Sequence, residues 1–315
     1  MKFTKAFSAG FITAAKSKKM TTLIYAVTLL FALILAIPFH SVLRNQIGSS
    51  MAPELLFKHF DYTVFSDFMR TSGKALNPFF GAAVWMGIFY LVFSVFFAGG
   101  VLNVISSPEN KFSVKNFLEG CGVYFFRFLR LAVYMIFIYF ILTAAAVMII
   151  SAVIALMYES GQNETALFYI FLTGAIIFAL LLIVFLAIAD YAKIILYRTE
   201  SKKVIKSIWL SIKFVFRHFF GAYILYVLVL AALVLFFFLY FVLENSIGMS
   251  SALTVLMMFL VQQILIWLRT LVKIWFLGSE LSYYDLNPKI IKAAADETPA
   301  AGEESEMPGI ASPAQ

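Results

Sequence analysis

The sequence predicts an all-α polytopic membrane bundle: six transmembrane helices, with amphipathic interfacial helices on one side. Three observations predict it. First, 63% of the 315 residues are hydrophobic and only 13% charged, about half the charge of a soluble domain. One globular core cannot hide that much apolar surface, so the excess faces lipid. Second, six apolar runs reach spanning length, at about 21–43, 79–106, 128–157, 167–195, 219–243 and 251–277. Third, 20 of the 24 Lys and Arg residues fall on one side of these runs. Cytoplasmic loops collect Lys and Arg, so both termini are expected in the cytoplasm of a bacterial cell, with the chain in its inner membrane. Residues 1–292 form the membrane domain in this reading.

The elements follow in order. Lys2, Lys5, Lys16, Lys18 and Lys19 precede the first run. Ile37-Pro38-Phe39-His40 at its end is no small-residue cleavage site, so the run reads as a retained signal anchor that Pro38 kinks or ends. The outer segment 44–78 carries a predicted helix at 53–70, with Pro53 at its start, Glu54 in its first turn and an apolar stripe through Leu56, Phe60 and Phe65. That helix is expected to rest on the outer leaflet. His59, Asp61 and Asp67 on it offer too few ligands for a zinc site. In the second run, Gly81 and Gly87 read as small-residue contacts. Gly99-Gly100 read as a close backbone approach or a break. The third run is long for a ~30 Å core and is expected to tilt or project. Gln262-Gln263, the deepest polar residues of the last run, are expected to bond neighbouring helices. Residues 293–315 carry five acids and no base, and are expected to form a disordered tail.

Three basic segments look alike. Lys2-Phe3-Thr4-Lys5-Ala6-Phe7 precedes the first span, Phe112-Ser113-Val114-Lys115-Asn116-Phe117 the third, and Lys203-Val204-Ile205-Lys206-Ser207-Ile208 the fifth. Each has apolar residues at helical spacing: Phe3, Phe7 and Phe11; Phe117, Cys121 and Tyr124; Val204, Ile208, Ile212 and Val215. They read as short helices in the headgroup layer with cations toward phosphate. The chain then divides into three units, each an interfacial helix and two spans. Two alternatives stay open: a true threefold repeat, or the common habit of placing basic helices before spans.

Several function classes are excluded at this level. The net charge of +7 follows from the positive-inside rule, so no nucleic-acid partner is expected. The single cysteine, Cys121, allows no intrachain disulfide. No phosphate loop, His-Glu-x-x-His or Gly-x-Ser-x-Gly is present, and no cofactor is expected. The second and fifth runs are read as free of internal charge. Asp190 and Lys193 lie near the cytoplasmic end of the fourth run. Arg269 and Lys273 share a face of the sixth, with Glu280 following. Intramembrane ionisable residues are default functional candidates. Asp190 is expected to pair with Arg269 or Lys273, as a structural ion pair or within a cationic pocket for lipid phosphate. The candidate headgroup or ion-pair residues are therefore Arg127, Arg130, Asp190, Lys193, Arg217, Arg269 and Lys273.

His59-Phe60-Asp61-Tyr62 with Asp67-Phe68, Phe97-Ala98-Gly99-Gly100-Val101-Leu102, Phe112-Ser113 with Phe117, Phe126-Arg127-Phe128-Leu129-Arg130-Leu131 and Asp190-Tyr191-Ala192-Lys193 occur in this order. Over about residues 1–285 the chain thereby resembles an uncharacterised family of bacterial polytopic membrane proteins. That family is similar to the membrane domain of some glycerophosphodiester phosphodiesterases. The resemblance implies a six-helix inner-membrane domain and no activity, because the phosphodiesterase catalytic domain is absent from this sequence. The expected role is non-enzymatic: contact with anionic membrane lipids, membrane organisation, or membership of a complex with a protein partner. The alternative is a transporter or channel for a small or amphiphilic solute, which needs a hydrated path where a lipid site needs Phe and Leu. A membrane enzyme would need carboxylates converging around Asp190 and Glu280.

Overall fold

The computed structural model describes residues 2–47, 61–107, 112–159, 163–200, 203–247 and 251–287. These residues form eight α-helices: α1 (Lys2–Lys16), α2 (Lys18–Ile47), α3 (Tyr62–Ser106), α4 (Val114–Glu159), α5 (Glu164–Arg198), α6 (Val204–Arg217), α7 (Phe219–Ser246) and α8 (Ala252–Asp285). Six of them, α2 to α5 with α7 and α8, are long and apolar enough to cross a membrane. The all-α six-span class predicted from the sequence is the class observed.

Several helices outrun their apolar stretches. Helix α4 has 46 residues, about 69 Å at 1.5 Å per residue, more than twice a ~30 Å hydrocarbon core. Its first turns are the second basic segment, which is therefore not a separate interfacial helix. The outer segment differs in the same way. From Tyr62 onward it is the start of α3, where Asp61 caps the helix by accepting from the Thr63 and Val64 N–H groups. Asp67 pairs with Arg70. Residues 53–60 of the predicted 53–70 helix lie outside the described residues, as does the 293–315 tail. Pro38 sits inside α2 without ending it.

The core lies at one end, where α1, α6 and the start of α4 gather; this is the basic end. Each packs on the C-terminal part of a span: α1 on α8, the start of α4 on α3, and α6 on α5. Around the bundle the spans touch in the order α2, α3, α4, α5, α7, α8, and α8 returns to α2. Across its middle α3, α5 and α8 touch one another. Small residues permit the close crossings. A Cβ on Gly100 would overlap the Phe117 carbonyl and Cys121 Sγ, and one on Gly10 the backbone of Ser279. Gly99-Gly100 is thus a close approach and no break. Gly81 and Gly87, expected as contacts, face open space instead.

The apolar stripe of α6 also departs from expectation. Val204, Ile208 and Val215 are buried in the core, while Ile205, Trp209 and Phe216 are exposed. The stripe meets protein because α5 and α8 project far enough to receive it. Polar pins fix the arrangement. Arg198 of α5 pairs with Asp285 of α8, and the Asn103 amide donates to the Asn116 carbonyl at 2.8 Å. As expected of Gln262-Gln263, Gln262 donates to the Tyr240 hydroxyl at 3.0 Å and Gln263 accepts from the Tyr25 hydroxyl at 2.8 Å.

Candidate functional site

Near the basic end, α2, α3, α5, α7 and α8 line an open cavity of about 690 Å³, inside the usual ~300–1,000 Å³ range of ligand sites. Its wall is mostly apolar, with Phe31 from α2, Phe93 and Phe97 from α3, Leu186 from α5, Leu233 from α7, and Phe276 and Leu277 from α8. Four of the seven candidate residues, Asp190, Lys193, Arg269 and Lys273, also line it.

Helix geometry explains why these four converge. Arg269, Lys273 and Leu277 recur every four residues, which stacks them on one face of α8. Asp190 and Lys193 stand three apart on α5, close enough to bond. Lys193 Nζ donates to Asp190 Oδ1 at 2.6 Å. The expected cross-bundle pairing of Asp190 with Arg269 or Lys273 is replaced by this local pair, because the i,i+3 partner lies nearer on the same helix. Lys273 crosses to α3 instead. Its Nζ donates to the Tyr90 hydroxyl at 3.2 Å and lies 5.7 Å from the ring centroid, within cation–π range. Among the described residues, neither Lys273 nor Arg269 has a carboxylate partner. Both are exposed, so two positive charges stand uncompensated at the cavity.

The other three candidates stand elsewhere. Arg127 donates to the Glu200 carbonyl at 3.0 Å and lies over Tyr124, bracing α4 against the end of α5. Arg130 donates to the Phe126 carbonyl of its own helix at 3.3 Å. Arg217 ends α6, just before the turn into α7. None of them lines the cavity.

Sequence reasoning passed over Tyr90 and Tyr226, which line the cavity from α3 and α7. A lone Tyr in an apolar run gives no signal, since aromatics are common in spans. It also underrated Glu280. This residue is 2% exposed, and neither carboxylate oxygen has a hydrogen-bond partner among the described residues. The charges acting on it are those of Asp190 and Lys193. The pattern of Arg269, Lys273 and Glu280 on one face was the available clue. Compared with family models, curated proteins and solved structures, the chain matches none.

Proposed function

We propose that this chain is a non-enzymatic protein of the bacterial inner membrane that holds an anionic membrane lipid in the α2/α3/α5/α7/α8 cavity. One observation carries the reading: a wall of Phe and Leu runs up to two cations, Arg269 and Lys273, that have no carboxylate partner. Acyl chains suit the wall. A phosphate diester suits the cations, with Arg offering a fork of donors and Lys a point charge. Asp190 is engaged by Lys193, which leaves the cavity's net charge positive. The resemblance to phosphodiesterase membrane domains enters this proposal as an address beside lipid, with no activity attached.

A threefold repeat belongs to the same proposal. It draws support from the way each basic helix packs on a different even-numbered span, and from the mutual contact of those three spans at the centre. A second reading, a transporter for an amphiphilic solute, is favoured by the ionisable cluster of half-buried Asp190 and Lys193 with buried Glu280 close to the cavity.

The deciding experiment extracts the full chain in native lipid discs and identifies what stays bound by intact-complex mass spectrometry. The proposal expects an anionic phospholipid at fixed stoichiometry, lost from the double variant R269Q/K273Q. Equal retention by that variant would sink the site. A retained protein in place of lipid would make the chain a subunit of a complex.

A further inference from the structure

Among the described residues, the ionisable groups that line the cavity can be named helix by helix. They are Tyr90 from α3, Asp190 and Lys193 from α5, Tyr226 from α7, and Arg269 and Lys273 from α8, while α2 contributes none. Asp190 is the one carboxylate in this set, and Lys193 already holds it at 2.6 Å. The charges of that pair cancel. Arg269 and Lys273 remain, both exposed and neither with a carboxylate partner among the described residues. The wall therefore carries an excess of two positive charges. They stand one turn apart on one face of α8, where like charges repel. A ligand that relieves both must bring two negative charges.

The single charge of a phosphate diester matches one of the two cations and leaves the other. A phosphate monoester carries about 1.5 to 2 negative charges at pH 7 and presents three strong acceptor oxygens. The donors on the wall suit that richer acceptor. Arg269 brings a fork of N–H groups and Lys273 an ammonium. Lys273 gives one proton to the Tyr90 hydroxyl, which as an acceptor keeps its own proton to donate. Ser94, one turn along α3 from Tyr90, adds a hydroxyl to the same wall. Thr28 and Thr270 also line it, but their hydroxyls donate to carbonyls of their own helices. The donors for a phosphate thus come from α3 and α8, which the Lys273–Tyr90 bond already ties together.

We infer that this cavity selects a lipid ending in a phosphate monoester over phosphate-diester lipids with the same chains. The inference rests on the lipid-holding reading and names its ligand class. One more ion pair at an exposed site multiplies affinity by about two to five. The second proton of a phosphate monoester leaves at about pH 6, whereas a diester stays singly charged on both sides of that value. The preference is therefore expected to grow with pH.

The test offers the full chain, in non-ionic detergent, equimolar dioctanoyl phosphatidic acid and dioctanoyl phosphatidylglycerol at pH 5 and at pH 8. Intact-complex mass spectrometry reads the ratio bound. Wild type is expected to favour phosphatidic acid by about two- to fivefold at pH 8, with the ratio falling toward one at pH 5. R269Q and K273Q, each with one cation left, are expected to bring the pH 8 ratio down to the pH 5 value. A ratio of one or less at both pH values overturns the inference and spares the lipid reading; this arm needs no variant to fold. A pH-dependent preference kept by both variants places the selecting charges elsewhere and overturns the assignment. Displacement of phosphatidic acid by an equal concentration of inorganic phosphate would give the site to a soluble anion and overturn the choice of a lipid. If neither lipid is retained, the lipid reading fails and the selectivity falls with it.

Discussion

Gly10 and Gly87 are both helical glycines, and their surroundings oppose each other. A methyl group on Gly10 would run into the backbone of Ser279, which sits on a packed helix and has little room to yield. Overpacking of that kind costs about 1–3 kcal/mol. A methyl group on Gly87 meets nothing within 4 Å, so only helix propensity remains, and that favours Ala. G10A is therefore expected to lower the thermal midpoint in detergent, while G87A leaves it unchanged or raises it; equal midpoints would remove the crossing from the account. His218, at the turn between α6 and α7, gives a pH prediction. Burial pulls its imidazole below the ordinary value of 6.5; the hydrogen bond with the Phe214 carbonyl opposes it, and the neighbouring Arg217 and Lys2 add lesser downward pulls. Between the folded value and 6.5 the unfolded chain binds more protons, so stability falls as pH drops through 6.5 and levels off below the folded value. H218Q should flatten that limb of a stability-against-pH curve, and an unaltered limb would assign it to other groups.

Between α1 and α8, Trp275 combines ring packing with a hydrogen bond. Its ring packs 4.7 Å from Phe7 and 5.0 Å from Phe11, centroid to centroid, and its indole N–H donates to the Phe7 carbonyl at 3.0 Å. Removing a buried Trp costs about 3–5 kcal/mol. W275A should release α1, seen as faster proteolysis within residues 2–16 and a lower thermal midpoint. Proteolysis unchanged from wild type would mean that α1 is held by other contacts. How far such ties could be read from the sequence depends on the kind of signal. The spans were legible because apolar length is a one-dimensional property. The Gln262 and Gln263 bonds were legible because a polar amide deep in a span needs a partner. The stripe Val204, Ile208, Val215 was legible as one face of a helix, yet its destination was not. Lipid tails and neighbouring helices are equally apolar, so periodicity alone leaves open which of them a face meets. Gly81 and Gly87 failed for that reason, whereas Gly99-Gly100 succeeded beside a projecting helix. The cavity was half legible. Spacing on α8 joined Arg269 to Lys273, but the approach of Tyr90 and Tyr226 depends on which helices meet, and no local pattern encodes that.

At the scale of the whole molecule, charge and packing share one polarity. The basic end holds the buried core, with Ala6, Phe117, Tyr191, Phe214 and Tyr284 among its residues, while large apolar side chains stay exposed toward the other end, among them Trp85, Phe140, Leu156 and Phe241. A bundle that is tight at one end and loose at the other takes its orientation from the charges at its tight end. By the positive-inside rule, the orientation we propose puts that end at the cytoplasm. In that proposed orientation an anionic inner leaflet would match the basic end, at about 1 kcal/mol per nearby cation, and would be the leaflet beside Arg269 and Lys273. The orientation is testable with reporters. A green fluorescent protein fused after Gln315 is expected to fluoresce. Alkaline phosphatase, which needs an oxidising compartment to form its disulfides, is expected to be active when fused at Asn163, between α4 and α5, and inactive at Thr199, between α5 and α6. The reverse pattern would turn the bundle over. It would place the cavity's cations at the outer leaflet, and any ligand would then have to be sought among outer-leaflet lipids or extracytoplasmic anions.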